Sequence, residues 1–343
     1  MDFDLDDDQL ALQRAAGDLL DDLSSPARVR AAIDTGDGYD RTLWKSMVDQ
    51  GWMGVELDEG RGGLGLGAVA AAVLLEQVGR HLAPAPFLPS LLALGALARA
   101  ADAGVRDAGP WVERLLSGDA IGCVKWGDAP VIAASIADVA VISEDGRVTA
   151  IDLTEVGRPD AEPAMDLTRS LAWLRDAAPA LALGERDAAA ALLDRGATYV
   201  SAELLGGAAR VLDLTVAYAK ERVQFGRPIG SFQAVKHRCA DMLVDVEGMR
   251  STAYHAAWCI GAGDADASTA ASTAKVWCSD ASRRVMASGL QVHGGIGFTW
   301  EHDMHLYLKR AQLDQVTFGD AAHHRERLAA LLRPRVEAGE SIF

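Results

Sequence analysis

Glu221-Arg-Val-Gln-Phe-Gly-Arg-Pro-Ile-Gly-Ser-Phe-Gln233 is the most informative stretch of the chain, and Gln291-Val-His-Gly-Gly-Ile-Gly-Phe-Thr-Trp-Glu301 is the next. In the first, Pro228 and the glycines keep Gln224–Gly230 from becoming helix, so it reads as a loop between two helical runs. Arg222 offers a planar fork of donors suited to a pyrophosphate, and Phe225 a face for a flat ring. The second stretch is a glycine-rich turn between helices, where backbone N–H groups can approach a phosphate closely. Together they suggest nucleotide binding. The same residues also admit a plainer reading, with Arg222 in a surface ion pair and Phe225 in the core.

Outward from these motifs the chain divides by character. Residues 1–113 read as helical, with apolar residues at helical spacing through Leu10, Leu12, Leu19, Leu20 and Leu23, and again through Leu43, Trp44, Met47 and Val48. The glycine-rich break from Gly60 to Gly67 precedes an alanine-rich helix over 68–81, which Pro84, Pro86 and Pro89 end. That break lacks the Lys-Ser/Thr of a P-loop and follows no strand pattern, so it reads as a tight turn. Residues 114–184 carry short β-branched runs at 120–124, 131–134, 139–142 and 148–151, with Glu144-Asp-Gly-Arg147 as a hairpin turn. Residues 185–343 return to helix over about 185–222, 231–260, 267–289 and 301–312, with a last helix starting near Asp320. The fold class expected is mainly α with a small central β-domain.

Composition bounds the function. The chain has 343 residues, half of them hydrophobic, enough for a large core in two or three domains. A net charge of −16 repels nucleic acid and anionic membranes. Cys123, Cys239, Cys259 and Cys278 have no CxxC spacing, which argues against a disulfide framework or zinc site and fits reduced thiols in a cytoplasmic protein. The acidic start is the opposite of a signal or transit peptide, and no apolar run is long enough for a membrane span.

Both motifs resemble the C-terminal domain of acyl-CoA dehydrogenases, which carry RxxFGxPI…FQ and QxHGGxGF. Arg222, Gln224, Phe225, Gly226, Pro228, Ile229, Phe232 and Gln233 match the first, and Gln291, Gly294, Gly295 and Gly297 the second. Leu43-Trp44, Gly51-Trp52, Gly62-Gly-Leu-Gly65 and Glu76 with Gly79-Arg80 fit the N-terminal part, so the resemblance covers nearly the whole chain. It implies an N-terminal helical domain, a β-domain and a C-terminal four-helix bundle. It implies FAD as cofactor and the oxidation of an acyl-CoA across its α–β bond, with a glutamate removing the α-proton while the β-hydride goes to flavin. The family's flavin ring sits on one subunit and its AMP and pyrophosphate end reaches into the neighbour. By that resemblance Arg222, Gln224, Phe225, Gly226, Gln291, Gly294 and Gly295 hold the distal end of a partner's FAD.

The departures are as informative. The family's Tyr-Glu-Gly-Thr segment reads Thr317-Phe-Gly-Asp320 here, so Phe318 stands at the base position and cannot accept a proton, and Asp320 replaces a flavin-contacting threonine. The alternative base position, on the first helix of the C-terminal domain, is Gly196. Glu203 and Glu247 are the carboxylates left on neighbouring helices, either as a relocated base or in ordinary helix-surface or ion-pairing roles. Where the family has Leu-Thr-Glu-Pro the chain reads Gly122-Cys-Val-Lys-Trp126, and the Gly-Ser-Asp and Trp-Ile-Thr segments are missing. Trp126 is a packing residue or, less simply, a flavin-stacking one. No catalytic or metal-binding residue is assigned. The pattern implies a subunit that completes a site whose flavin face and glutamate lie on a longer homologue, as in the α2β2 actinobacterial enzymes that oxidise steroid side-chain CoA thioesters. A self-sufficient homo-oligomer with an unusual base, or a scaffold that has lost flavin, are the competing readings.

Overall fold

The structure is a computed structural model and describes residues 5–36, 38–174 and 180–340. Six helices come first: α1 (Asp7–Leu23), α2 (Pro26–Thr35), α3 (Arg41–Asp49), α4 (Gly67–Arg80), α5 (Phe87–Asp102) and α6 (Gly109–Leu116). The β-region holds β1 (Gly122–Trp126), β2 (Val131–Ile132), β3 (Val139–Glu144), β4 (Arg147–Asp152), a short α7 (Leu153–Val156), β5 (Leu171–Ala172) and β6 (Leu181–Gly184). Then follow α8 (Arg186–Glu221), β7 (Val223–Gln224), β8 (Arg227–Pro228), α9 (Gln233–Ala262), α10 (Ala267–His293), α11 (Met304–Val316) and α12 (Ala321–Glu337). The fold is mainly helical with a small sheet region. Among the described residues no helix is long and apolar enough to cross a membrane.

Compactness divides the chain differently from secondary-structure character. One unit gathers Met1–Leu20, Leu75–Leu82 and Ala197–Phe343; the other gathers Asp21–Leu74 and Ala83–Gly196. In the first, the end of α4 crosses α8 backbone to backbone. A Cβ on Gly206 would lie 1.8 Å from the Glu76 carbonyl oxygen, and one on Gly79 would lie 2.0 Å from that of Glu203, so only glycine permits the crossing. Polar groups buried there are paired. Glu76 accepts from Arg250 Nη1 at 2.6 Å and from the Tyr254 hydroxyl at 2.5 Å. Lys275, fully buried, donates through Nζ to the carbonyls of Asp314 (3.0 Å) and Gln315 (2.9 Å) and to Ser279 Oγ (3.2 Å). It thereby caps the C-terminus of α11, where orphan carbonyls and the helix dipole favour a cation.

The second unit is built on a four-stranded sheet of order β1-β3-β4-β6, parallel between β1 and β3 and antiparallel elsewhere. β3 and β4 form the expected hairpin, turning at Asp145 and Gly146, both at positive φ. The expected strand at 131–134 shrinks to β2, paired with β5, because Ala133 takes φ +65° and breaks the extended run. β1 begins two residues later than the apolar run suggests. Ile121 ahead of it spends its carbonyl on the N–H groups of Asp138 and Val139 and its N–H on the Asp138 carboxylate. The buried face of α5 covers this region, with Ser90 Oγ bonded to both backbone groups of Gly122. The Gly60–Gly67 break is a turn tied by Gly63 N–H to the Asp58 carbonyl and Gly65 N–H to the Leu57 carbonyl.

Candidate functional site

The segment read as a loop after α8 is a two-stranded hairpin. β7 pairs β8 through Val223↔Pro228 and Gln224↔Arg227, and the Ile229 N–H closes its base on the Arg222 carbonyl at 2.8 Å. The two-residue turn puts Phe225 at φ +52° and Gly226 at φ +76°, both in the left-handed region that such a turn demands. Glycine adopts this freely; a phenylalanine there costs roughly 1–2 kcal/mol. The strained residue points its ring outward, 91% exposed. Behind it Phe232 meets the ring edge-on at 6.1 Å, and the Arg227 guanidinium lies 4.2 Å from the centroid of Phe232. Arg222 and Gln224 are exposed, and Arg222 makes no ion pair among the described residues. The plainer reading, Arg222 in an ion pair and Phe225 in the core, is not the geometry found.

The glycine turn begins where α10 stops. Gly294 takes φ +65° and ψ −145°, a conformation essentially confined to glycine, and its N–H returns to the Leu290 carbonyl. A Cβ added to Gly294 or Gly295 would meet nothing within 4 Å. No crowding among the described residues explains Gly295, and the backbone here faces open space. Gln291 on the last turn of α10 is exposed, as are Ile296 and Phe298 on the short helical turn Gly294–Phe298. An exposed guanidinium, two exposed amide side chains and an open glycine backbone form a donor set that fits the pyrophosphate end of FAD.

Ring stacking brings the two motifs together. Tyr218, one helical turn before Arg222, stacks on His293 at 4.6 Å and 21°. His293 immediately precedes Gly294, and its ring meets that of His302 edge-on at 4.7 Å. The sequence reading named none of these rings as functional. The spacing of Tyr218 four residues before Arg222, on the same helical face, is the signal that points to it.

The positions examined for a catalytic base are all accounted for. Phe318 is buried at φ +57°, its carbonyl accepting the His324 Nε2–H at 2.8 Å. Asp320 N-caps α12, accepting the His323 N–H at 2.8 Å, and that bond, with a smaller opposing effect of burial, holds its carboxyl below the ordinary aspartate value. Gly196 is buried within α8. Glu203 is buried and paired to Arg310 Nη1 at 2.7 Å, with the two side chains 0% and 4% exposed. Glu247 is exposed, 3.6 Å from Arg250 on its own helix. Both carboxylates are ion-pairing residues here. Trp126 is half-buried at the end of β1. Among the described residues no group of three or more His, Cys, Asp or Glu side chains is placed to hold a metal.

Comparison with known proteins gives concordant results. Residues 6–119 match the family model for the acyl-CoA dehydrogenase N-terminal domain, and residues 184–332 that for the C-terminal domain. Acyl-CoA dehydrogenase IpdE2 of Mycolicibacterium smegmatis is 38% identical over 320 residues, which is 93% of this chain and 97% of that one. A chain of the Tcur3481-Tcur3483 steroid ACAD superposes with a TM-score of 0.88 at 30% identity, covering 96% of this chain and 99% of its own. A chain of the ChsE4-ChsE5 complex from Mycobacterium tuberculosis superposes at 0.84 and 28%, covering 97% and 99%.

Proposed function

The chain belongs to the acyl-CoA dehydrogenase family of oxidoreductases, and from that premise we propose that it is the FAD-completing subunit of a heteromeric, steroid-CoA-oxidising enzyme. Its partner is a longer homologue that supplies the flavin face and the catalytic glutamate, in an α2β2 assembly. Bound FAD supplies the hydride acceptor for α,β-dehydrogenation of an acyl-CoA. This chain's part is to hold the far end of that cofactor: Arg222 on the pyrophosphate, Phe225 against a flat ring, Gln224 and Gln291 as neutral partners, and Gly226, Gly294 and Gly295 as close-approach backbone. Residues 1–113, 114–184 and 185–343 are its functional segments, of which the last carries the site.

One contrast carries the reading. The residues that match the donated end of an FAD site are exposed: Phe225 is held in a strained turn with its ring in solvent, and Arg222 has no ion pair among the described residues. The position of the family's base holds a buried phenylalanine. The steroid neighbours, one of them a two-component complex, support the heteromer and the substrate class. The test is stoichiometric. Purified alone, the chain is colourless; co-expressed with its partner, it gives a yellow complex with one FAD per heterodimer. A homo-oligomer carrying one FAD per chain refutes the proposal.

A further inference from the structure

Between the two cofactor motifs lies a buried histidine with half of its hydrogen-bonding capacity unused. His293 is 4% exposed. Its Nδ1 lies 2.8 Å from the Gly289 carbonyl. A carbonyl only accepts, so Nδ1 carries the proton and Nε2 is a bare lone pair. Nε2 is buried and has no hydrogen-bond partner among the described residues. Tyr218 offers the ring a face rather than its oxygen, since the two planes lie within 21°. His302 accepts the Met304 N–H through Nδ1 at 3.1 Å, so its own Nε2 holds the proton and offers no acceptor. The nearest ionisable neighbours along the chain are Glu301 and Asp303 beside His302, and Lys220, Glu221 and Arg222 beyond Tyr218.

We propose that His293 is a positioning residue for the cofactor end: its uncharged ring, in contact with both Tyr218 and His302, sets the separation of the Arg222 hairpin and the Gly294-Gly295 turn, and charging it releases FAD. The inference rests on the reading of those motifs as an FAD half-site and adds the element that joins them. A proton on Nε2 creates a buried donor with no acceptor and a cation facing His302. Burial, which outweighs the Gly289 carbonyl bond, and repulsion from His302 accordingly keep the imidazole below its ordinary pKa. The ring takes a proton more readily once the stack has opened, so acid favours the opened arrangement. In that arrangement the hairpin and the glycine turn no longer hold a common spacing.

The experiment measures FAD retention by the intact heteromeric complex, by gel filtration and flavin fluorescence, from about pH 8 to about pH 5, the range in which histidine charges. His293→Ala removes the ring pair and weakens retention roughly 2- to 12-fold relative to wild type near neutrality, the worth of one aromatic contact, with no further loss from this position in acid. His293→Phe keeps a ring that cannot be protonated; it holds FAD as wild type does near neutrality and loses the additional release in acid. Identical acid release by wild type and His293→Phe overturns the proposal, as does an Ala variant that retains FAD like wild type throughout. Arg222→Ala, run in parallel, separates the two levels: if it releases FAD while the His293 variants behave as wild type, the half-site stands and the latch fails. If it too leaves FAD in place, the half-site reading itself fails.

Discussion

Replacing Arg222 by alanine in the assembled complex isolates the cofactor contact from the stability of the fold. The guanidinium is exposed and makes no ion pair among the described residues. Its loss therefore leaves unfolding of the chain within about 0.5 kcal/mol of wild type. Against a pyrophosphate it makes charge-assisted hydrogen bonds worth roughly 1.5–3 kcal/mol each. At 1.4 kcal/mol per decade, losing one weakens FAD binding roughly 10- to 150-fold. Dilution followed by gel filtration shows this as flavin in the small-molecule fraction, and a flavin titration gives the dissociation constant. Arg222→Lys recovers only part, because a point charge does not reproduce the planar fork. Gln291→Ala acts in the same direction through a neutral contact, roughly 2- to 12-fold. Turnover returns when FAD is in excess, since these side chains touch the end far from the reacting ring. An Arg222→Ala complex that binds FAD as tightly as wild type refutes the assignment at its strongest residue.

Two further outcomes test the interior. Glu203→Ala removes one partner of a buried ion pair with Arg310, so urea unfolding registers a loss of about 3–5 kcal/mol while turnover per folded complex stays within a few-fold; turnover falling by several orders of magnitude in folded protein makes Glu203 the base instead. His324 is fully buried, donates to the Phe318 carbonyl, and is pushed down to about 4, chiefly by burial. Above its ordinary value near 6.5 it is neutral folded or unfolded. As pH falls from there towards 4 the unfolded chain takes up the proton first, so stability drops, by about 3 kcal/mol from this group alone. Denaturant midpoints measured across that range show the loss, and it is reduced in His324→Leu.

The helices were legible because their apolar spacing runs over many turns. The run expected at 68–81 is α4 at Gly67–Arg80, and the boundaries of α8 to α12 follow the pattern closely. The hairpin after α8 was not, because strands of two residues leave no alternation to read, and proline and glycine suggest irregular chain just as well. Arg222 and the glycine turn stood out through their motifs. The burial of Glu203 was hidden. A helical glutamate ordinarily reads as surface, and the partner that makes its burial tolerable, Arg310, lies 107 residues further on. The Tyr218–His293 stack was hidden for the same reason, since no local pattern joins residues on separate helices.

Burial sorts the two sets of residues in opposite ways, and that opposition has a physical meaning. In the loop from Thr317 to Asp320 the described side chains find their roles within the chain. The Phe318 ring is buried, its carbonyl is bonded to His324, Asp320 has become a helix cap, and Lys275 caps the helix that leads into the loop. The backbone is left-handed at Phe318 and Gly319. A glutamate in place of the buried Phe318 would bring a charge into an apolar position. At the hairpin and the glycine turn the reverse holds. Phe225 bears backbone strain with its ring exposed, Arg222 is left without an ion pair among the described residues, and nothing among the described residues crowds the Cβ position of Gly295. Strain and exposure of this kind persist where something outside the chain completes the interaction. The proposed role, in which the ligand arrives on a partner, gives such a hairpin a reason to be held ready.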